Sequence, residues 1–305
     1  GNLDATGNAL DNTLYGNDGN NRLDGGAGID TMYGASGSDT FVVDNSADTV
    51  VEYSGEGIDA VESSANYLLA DNIENLTLSG GADIAGTGNA LANTLTGNSG
   101  NNALDGGAGD DTMVGLGGND SYWVDSAGDS VIESGGSGSD TVYAAFNYTL
   151  AANVENLILI GGDNLNGTGN GDANTVTGNT GDNNLAGAAG NDTLEGAEGN
   201  DTLNGGDGND LLSGGAGFNV ASYAGNIANY RFGVTAYGTM TVTDLVGSGG
   251  TDMLDHIQKV EFADTSVTVG TAGQFGEVGV TSIQPAYNST PSVAMLAGGG
   301  HVLTW

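Results

Sequence analysis

The sequence predicts an all-β fold, a solenoid of short strands followed by a β-hairpin and an antiparallel capping segment. Three observations lead there. A long internal repeat recurs at a fixed step, a nine-residue period runs inside it, and a later stretch alternates apolar and polar residues around a glycine. Fixed-period self-similarity is what a stack of identical supersecondary units leaves in a chain.

The long repeat comes first. ATGNALDNTLYGN begins at Ala5, GTGNALANTLTGN at Gly86 and GTGNGDANTVTGN at Gly167, a step of 81 residues each time. The same offset relates Asp39, Asp120 and Asp201, Asp44 and Asp125, and NIENLTL (72–78) and NVENLIL (153–159). Three cassettes follow, at about 5–85, 86–166 and 167–222, and make up a predicted repeat domain over 1–222.

Inside each cassette the chain advances in nines: GNALDNTLY (7–15), GNDGNNRLD (16–24), GGAGIDTMY (25–33), GASGSDTFV (34–42). VDNSADTVV (43–51) keeps the sixth-position acid, Asp48. After a two-residue insert, Glu52 and Tyr53, SGEGIDAVE (54–62) restores the frame. The second cassette repeats this, with GGSGSDTVY (135–143) after Glu133 and Ser134. The third is denser, with units at 187, 196, 205 and 214. Of 14 units with Gly at position four, position six is Asp in ten and Asn in four, and position eight is apolar throughout, Ala221 being the smallest.

This pattern, GGxGxDxUx, resembles the haemolysin-type calcium-binding repeat of the RTX family over roughly 7–222, with a further unit, GSGGTDMLD, at 247–255. The resemblance implies a parallel β-roll with calcium-filled turns. It also implies a secreted protein of a Gram-negative host, exported by a type I apparatus without N-terminal cleavage.

The residues support this chemistry by themselves. Glycines at positions one, two and four permit positive φ and close backbone approach, so carbonyl oxygens can turn inward. Calcium takes six to eight hard oxygens, from carboxylates and carbonyls. Asp at position six adds a carboxylate, and strand alternation sends position eight to the opposite face from positions seven and nine. Met32, Leu104, Met113, Leu194, Leu203 and Leu212 are therefore expected in a narrow core. Nine residues make half a coil, so turns two repeats apart stack: Asp192 on Asp210, and Asn183 on Asp201.

The candidate carboxylate ligands are Asp30, Asp39, Asp48, Asp59, Asp111, Asp120, Asp129, Asp140, Asp192, Asp201, Asp210 and Asp252. Asn12, Asn21, Asn93, Asn102, Asn174, Asn183 and Asn219 offer amide oxygens, and weaker or shared sites are expected at the cassette openings. The turn glycines expected to shape the sites are Gly26, Gly28, Gly37, Gly107, Gly109, Gly118, Gly138, Gly190, Gly199, Gly206 and Gly208. A filled stack would hold on the order of 10–15 Ca²⁺ at affinities usual for extracellular modules.

Charge points the same way. The 305 residues include 39 acidic and three basic ones, Arg22, Arg231 and Lys259, for a net charge of −36. Self-repulsion on that scale opposes compaction unless cations neutralise it. Nucleic acid is excluded as a partner because phosphate binding needs Lys and Arg. No apolar run suits membrane insertion, and no signal-peptide pattern opens the chain at GNLDATGNAL. With no Cys, neither a disulfide nor a thiolate metal site can form.

The segments NYLLADNIENLTLSGG (66–81) and NYTLAANVENLILIGG (147–162) read as non-ideal coils, with Glu74 and Glu155 where a sixth-position acid would fall. YRFGVTAYGTMTVTDL (230–245) reads as a hairpin about Gly238. Residues 247–269 resemble the segment that closes RTX arrays, giving a capping region over 223–270. Residues 271–305, which hold both prolines, read as a linker or the start of a following module of a longer protein.

An enzyme is not expected. There is no HExxH, GxSxG or Cys nucleophile, His256 reads as a strand residue, and the paired acids recur with the repeat, whereas a catalytic pair occurs once. The expected function is a calcium-binding extracellular or cell-surface module, structural or adhesive, that folds on calcium after secretion. The alternative is a non-catalytic accessory or secretion module of a secreted protease, lipase or polysaccharide-modifying enzyme. Calcium is the expected partner. Cell-surface or matrix polysaccharide and further copies of the chain remain open as others.

Overall fold

A computed structural model describes residues 1–269 and the backbone of three later strands, Val280–Pro285, Ser292–Leu296 and Gly300–Thr304. Among the described residues there is no α-helix, only a single 3-10 turn at Ile227–Asn229. Most strands are three or four residues long, because a nine-residue half-coil leaves only its last third extended between Gly-rich turns. The fold is a parallel β-roll.

The chain divides into two compact units. The first comprises Gly1–Tyr143 with Ala151–Val154, the second Ala144–Leu150 with Glu155–Trp305.

In the first unit, neighbouring strands pair in parallel at a regular step. Leu14 pairs with Met32 and Met32 with Val50, while Leu23 pairs with Phe41 on the other face. All are position-eight residues and lie at or below 7% exposure, so one apolar side chain per half-coil builds the core. The step then becomes irregular: Thr40 pairs with Ala60, Ala60 with Asn75 and Asn75 with Thr94. The long coil created by the insert is followed by a short one, and together the three span three regular coils of 18 residues. The array beyond is back in phase, Leu95 pairing with Met113 and Met113 with Val131.

An 81-residue cassette is nine half-coils, an odd number. Equivalent residues of successive cassettes therefore fall on opposite faces. Met32 lies in the sheet of Thr13–Tyr15 and Thr49–Val51, whereas its equivalent Met113 shares a sheet with Leu23 and Phe41.

The second unit has a stack of the same kind, with Val176, Leu194 and Leu212 on one face and Leu185, Leu203 and Ala221 on the other. It does not end at residue 222. Thr251–Asp255 pairs in parallel with Leu211–Ser213, and Lys259–Glu261 with Val220–Ser222, so another coil is added after an excursion of the chain. The excursion is the expected hairpin: Tyr230–Val234 and Met240–Asp244 pair antiparallel, with Gly238 at φ 90°, and Met240–Asp244 then pairs antiparallel with Thr251–Asp255. Tyr223, Tyr230, Phe232 and Phe262 cluster there with ring centroids 5.1–5.9 Å apart. His256 departs from its expected strand position. It stands in the bend after Asp255 at φ 52°, exposed, with Nδ1 2.9 Å from the Asp255 carboxylate. Apart from the three strands named, the expectation for 271–305 lies outside the described residues.

Candidate metal centres in the turns

Each position-six side chain caps the coil below it. In the first unit Asn12, Asn21, Asn93 and Asn102 donate backbone N–H groups to Oδ1 of Asp30, Asp39, Asp111 and Asp120, at 2.6–2.7 Å. Those acids in turn donate to Asp48, Asp59, Asp129 and Asp140, at 2.7–3.0 Å. In the second unit Asn174 donates to Asp192, Asp192 to Asp210 and Asp210 to Asp252. The other edge runs from Asn183 to Asp201 and Asn219. The predicted acids and amides are thus gathered into columns. All are buried except Asn12 and Asp129, which are half-buried.

Only one carboxylate oxygen is committed to this ladder. Oδ2 of Asp30, Asp39, Asp111, Asp120, Asp192 and Asp201 is buried and accepts no hydrogen bond. A buried, unsatisfied charged group is costly, so its surroundings decide what it is for. A Cβ on Gly187 would fall on Oδ2 of Asp192 and on the carbonyl oxygen of Gly205. One on Gly196 would fall on Oδ2 of Asp201 and the carbonyl of Gly214. The same cradle at Gly7 is formed by Asn12 Oδ1 and the Gly25 carbonyl. The position-one glycine therefore keeps open a space onto which a carboxylate oxygen and a carbonyl from the next coil converge.

The other glycines divide their roles. Gly26, Gly107 and Gly206, at position two, have φ of 76–97°, and Gly28, Gly37, Gly109, Gly118, Gly190, Gly199 and Gly208, at position four, have φ of 116–144°. Position-four glycines also lie over the carbonyl of the coil below, as Gly208 does over Gly190 and Gly250 over Gly208. Gly138 keeps that close approach, over Gly118, without positive φ.

Burial pushes the carboxyls of Asp59, Asp111, Asp120, Asp192 and Asp201 up to about 6, the ladder N–H bond offsetting only part of it. Asp252 is raised to about 7, again by burial first. These groups resist ionising in a metal-free turn, and a divalent cation reverses that logic. Oxygen-only donors, anionic and neutral together, suit a hard cation such as calcium.

Three contributors lay outside the sequence expectation. Glu52 and Glu133, from the two-residue inserts, turn inward and are buried. One oxygen each of Asp39, Glu52 and Asp59 lies within 4.8 Å of the others, and Asp120, Glu133 and Asp140 form the equivalent group. The available signal was the 81-residue offset between the two Glu residues, whose neighbours Tyr53 and Ser134 do not match. Gln258 is the third: its Oε1 accepts the Asn219 N–H in the place of a position-six residue, though it is out of frame with the repeat. Glu74, by contrast, takes the expected place and accepts the Asp59 N–H. Asp110 is exposed and accepts a hydrogen bond from the Ser126 hydroxyl.

Stacked, carboxylate-lined glycine turns on a parallel β-roll define a cation-binding solenoid. The RTX calcium-binding nonapeptide repeat matches the chain in four copies, at 6–41, 87–122, 168–203 and 187–221. The chain thus carries RTX repeats, and repeats of this kind bind calcium. A comparison with curated proteins finds no match.

Proposed function

We propose that this chain is an extracellular structural or adhesive module whose folding is coupled to calcium binding after secretion. The observation that carries this reading is the column of buried position-six carboxylates, of which Asp30, Asp39, Asp111, Asp120, Asp192 and Asp201 keep an oxygen without a hydrogen bond. In a chain of net charge −36, compaction without cations sets those groups against one another. Binding free energy at sites absent from the unfolded chain becomes folding free energy. The ligands are the position-six Asp and Asn side chains with the turn carbonyls, over a repeat domain of residues 1–222 and the unit at 247–255, and the remainder of 223–270 caps it. Low cytosolic calcium would keep the chain unfolded for export, and millimolar calcium outside would fold it.

No helix among the described residues is long and apolar enough to cross a membrane. A surface role is supported by the stacked rings of Trp123 and Tyr143, 4.9 Å apart and partly exposed, which offer a flat apolar platform to a polysaccharide. The module itself is read as non-catalytic, because its acids serve a repeated structural column. Far-ultraviolet circular dichroism in EGTA and then in millimolar CaCl₂ tests the coupling. A β spectrum that appears only with calcium is expected, and one unchanged by calcium overturns the reading.

A further inference from the structure

The two inserts do more than lengthen a coil. At a regular turn, the carbonyl oxygen of the position-one residue lies over the position-one glycine one coil below, as the Gly34 carbonyl lies over Gly16. At Gly34 that place is taken by Oε1 of Glu52, beside Oδ2 of Asp39. At Gly115 it is shared by the Tyr122 hydroxyl and Oε1 of Glu133, beside Oδ2 of Asp120. Each insert thus replaces a neutral backbone ligand with a carboxylate.

The two sites are not equally equipped. Glu133 accepts the Tyr122 hydroxyl and, at 2.8 Å, the Ser137 hydroxyl, so its charge is solvated by the protein itself. One cassette earlier the equivalent residues are Phe41 and Glu56. Glu52 is only 5% exposed and accepts no hydrogen bond from any N–H or O–H donor on either oxygen. Its near neighbours are carboxylates, Asp39, Asp59 and Glu56, the last able to share a proton with it only if one of the two is protonated. Among the described residues no N–H or O–H donor reaches Glu52, whereas the Tyr122 and Ser137 hydroxyls reach Glu133.

We propose that Asp39, Glu52, Asp59 and Glu56 form a cation site of a second kind, tighter than the glycine-turn sites, that fills first as calcium rises, ahead of its counterpart at Asp120, Glu133 and Asp140. This rests on the calcium-binding reading above and adds an order to it. Affinity for calcium rises with the number of anionic ligands; each site gathers three carboxylates, and the first has Glu56 beside them where the second has Ser137. At the second site a cation must also displace two hydroxyl donors from the Glu it needs.

The test is a calcium titration of the full chain against a competing chromophoric chelator, with folding followed by circular dichroism. Glu52→Gln is expected to weaken the tightest binding event by at least about tenfold and to leave the later events in place. Exchanging the equipment separates binding from folding. Phe41→Tyr with Glu56→Ser should weaken the first event, and Tyr122→Phe with Ser137→Glu should add a second tight one. If the tightest event survives both Glu52→Gln and the Phe41→Tyr/Glu56→Ser exchange while the chain still folds on calcium, the proposal is wrong and the functional reading stands. If the unaltered chain binds no calcium or folds without it, both fall.

Discussion

The repeat turns of residues 166–222 and the closing segment of 223–269 belong to the same unit and even share strand pairings, yet different physics holds them. A turn contributes one apolar side chain per nine residues and surrounds it with buried carboxylates that lack a donor on one oxygen. The closing segment has a ring cluster of Tyr223, Tyr230, Phe232 and Phe262, antiparallel pairing and few buried acids beyond Asp252. The first arrangement leaves carboxylate oxygens for a cation to satisfy, while the second is held mainly by apolar rings that the chain itself supplies. Calcium dependence should therefore be concentrated in the turns.

The largest expected effect is the removal of calcium. Hydrogen exchange in excess chelator should show amides of Thr193–Glu195 and Leu211–Ser213 losing nearly all protection, with those of Met240–Asp244 retaining more. Equal loss everywhere would mean that the closing segment has no stability of its own, and retained protection in the turns would mean that the carboxylate column tolerates its own charge.

Acid is expected to act next, and with opposite sign in the two states. Asp111, Asp120, Asp192 and Asp201 are held near 6, above the ordinary carboxylate range near 4. A folded-state value above the unfolded one means stability that is present below about pH 4 and lost as pH rises through about 6. The calcium-free chain should therefore gain β structure on acidification. Calcium must displace those protons, so its midpoint should move to higher concentration between pH 7.5 and pH 5. A midpoint indifferent to pH over that interval would separate the buried carboxylates from the metal.

A single turn gives a smaller and more local effect. Gly187→Ala would place a Cβ on Asp192 Oδ2 and the Gly205 carbonyl, closing the cradle without removing a ligand. It should cost calcium affinity at that turn several-fold, as Asp192→Ala should by removing the charge. Phe262→Leu, in the ring cluster, should instead cost about 1–2 kcal/mol of stability at saturating calcium, with calcium stoichiometry unchanged. If both substitutions altered stoichiometry, the contrast between the two regions would be lost.

The division follows how far each feature could be read in advance. The repeat fixes φ, close approach, charge and core in phase, so the turns at Gly187, Gly196 and Gly205 and the stacking of Asp192 with Asp210 were legible from spacing alone. Glu52 and Glu133 were not, because an insert breaks the frame that assigns inside and outside, and only the fold shows which of its two residues turns inward. Gln258 escaped for a related reason. Tertiary pairing of Lys259–Glu261 with Val220–Ser222 puts it opposite Asn219, out of phase with any nonapeptide. His256 was misplaced because alternation continues through the sequence where the backbone bends.

The smallest expected effect is the sharpest check of the frame. Asp110 and Asp111 are neighbours of the same chemistry, and only the phase of the repeat separates them. Asp111 is buried at position six, accepts the Asn93 N–H through Oδ1 at 2.7 Å and leaves Oδ2 without a donor beside Gly106. Asp110 is exposed at position five and bonds the Ser126 hydroxyl at 2.9 Å. Removing Asp111 deletes a proposed ligand and a ladder rung. Removing Asp110 deletes a surface hydrogen bond of the kind that contributes about 0.5–1.5 kcal/mol at most and one charge of the general field. Isothermal titration with calcium should show one fewer site, or a markedly weaker one, in Asp111→Ala. Asp110→Ala should differ from the unaltered chain only by a slight shift that added salt screens away. Equal losses would mean that charge density, not the geometry of the turn, holds the ion.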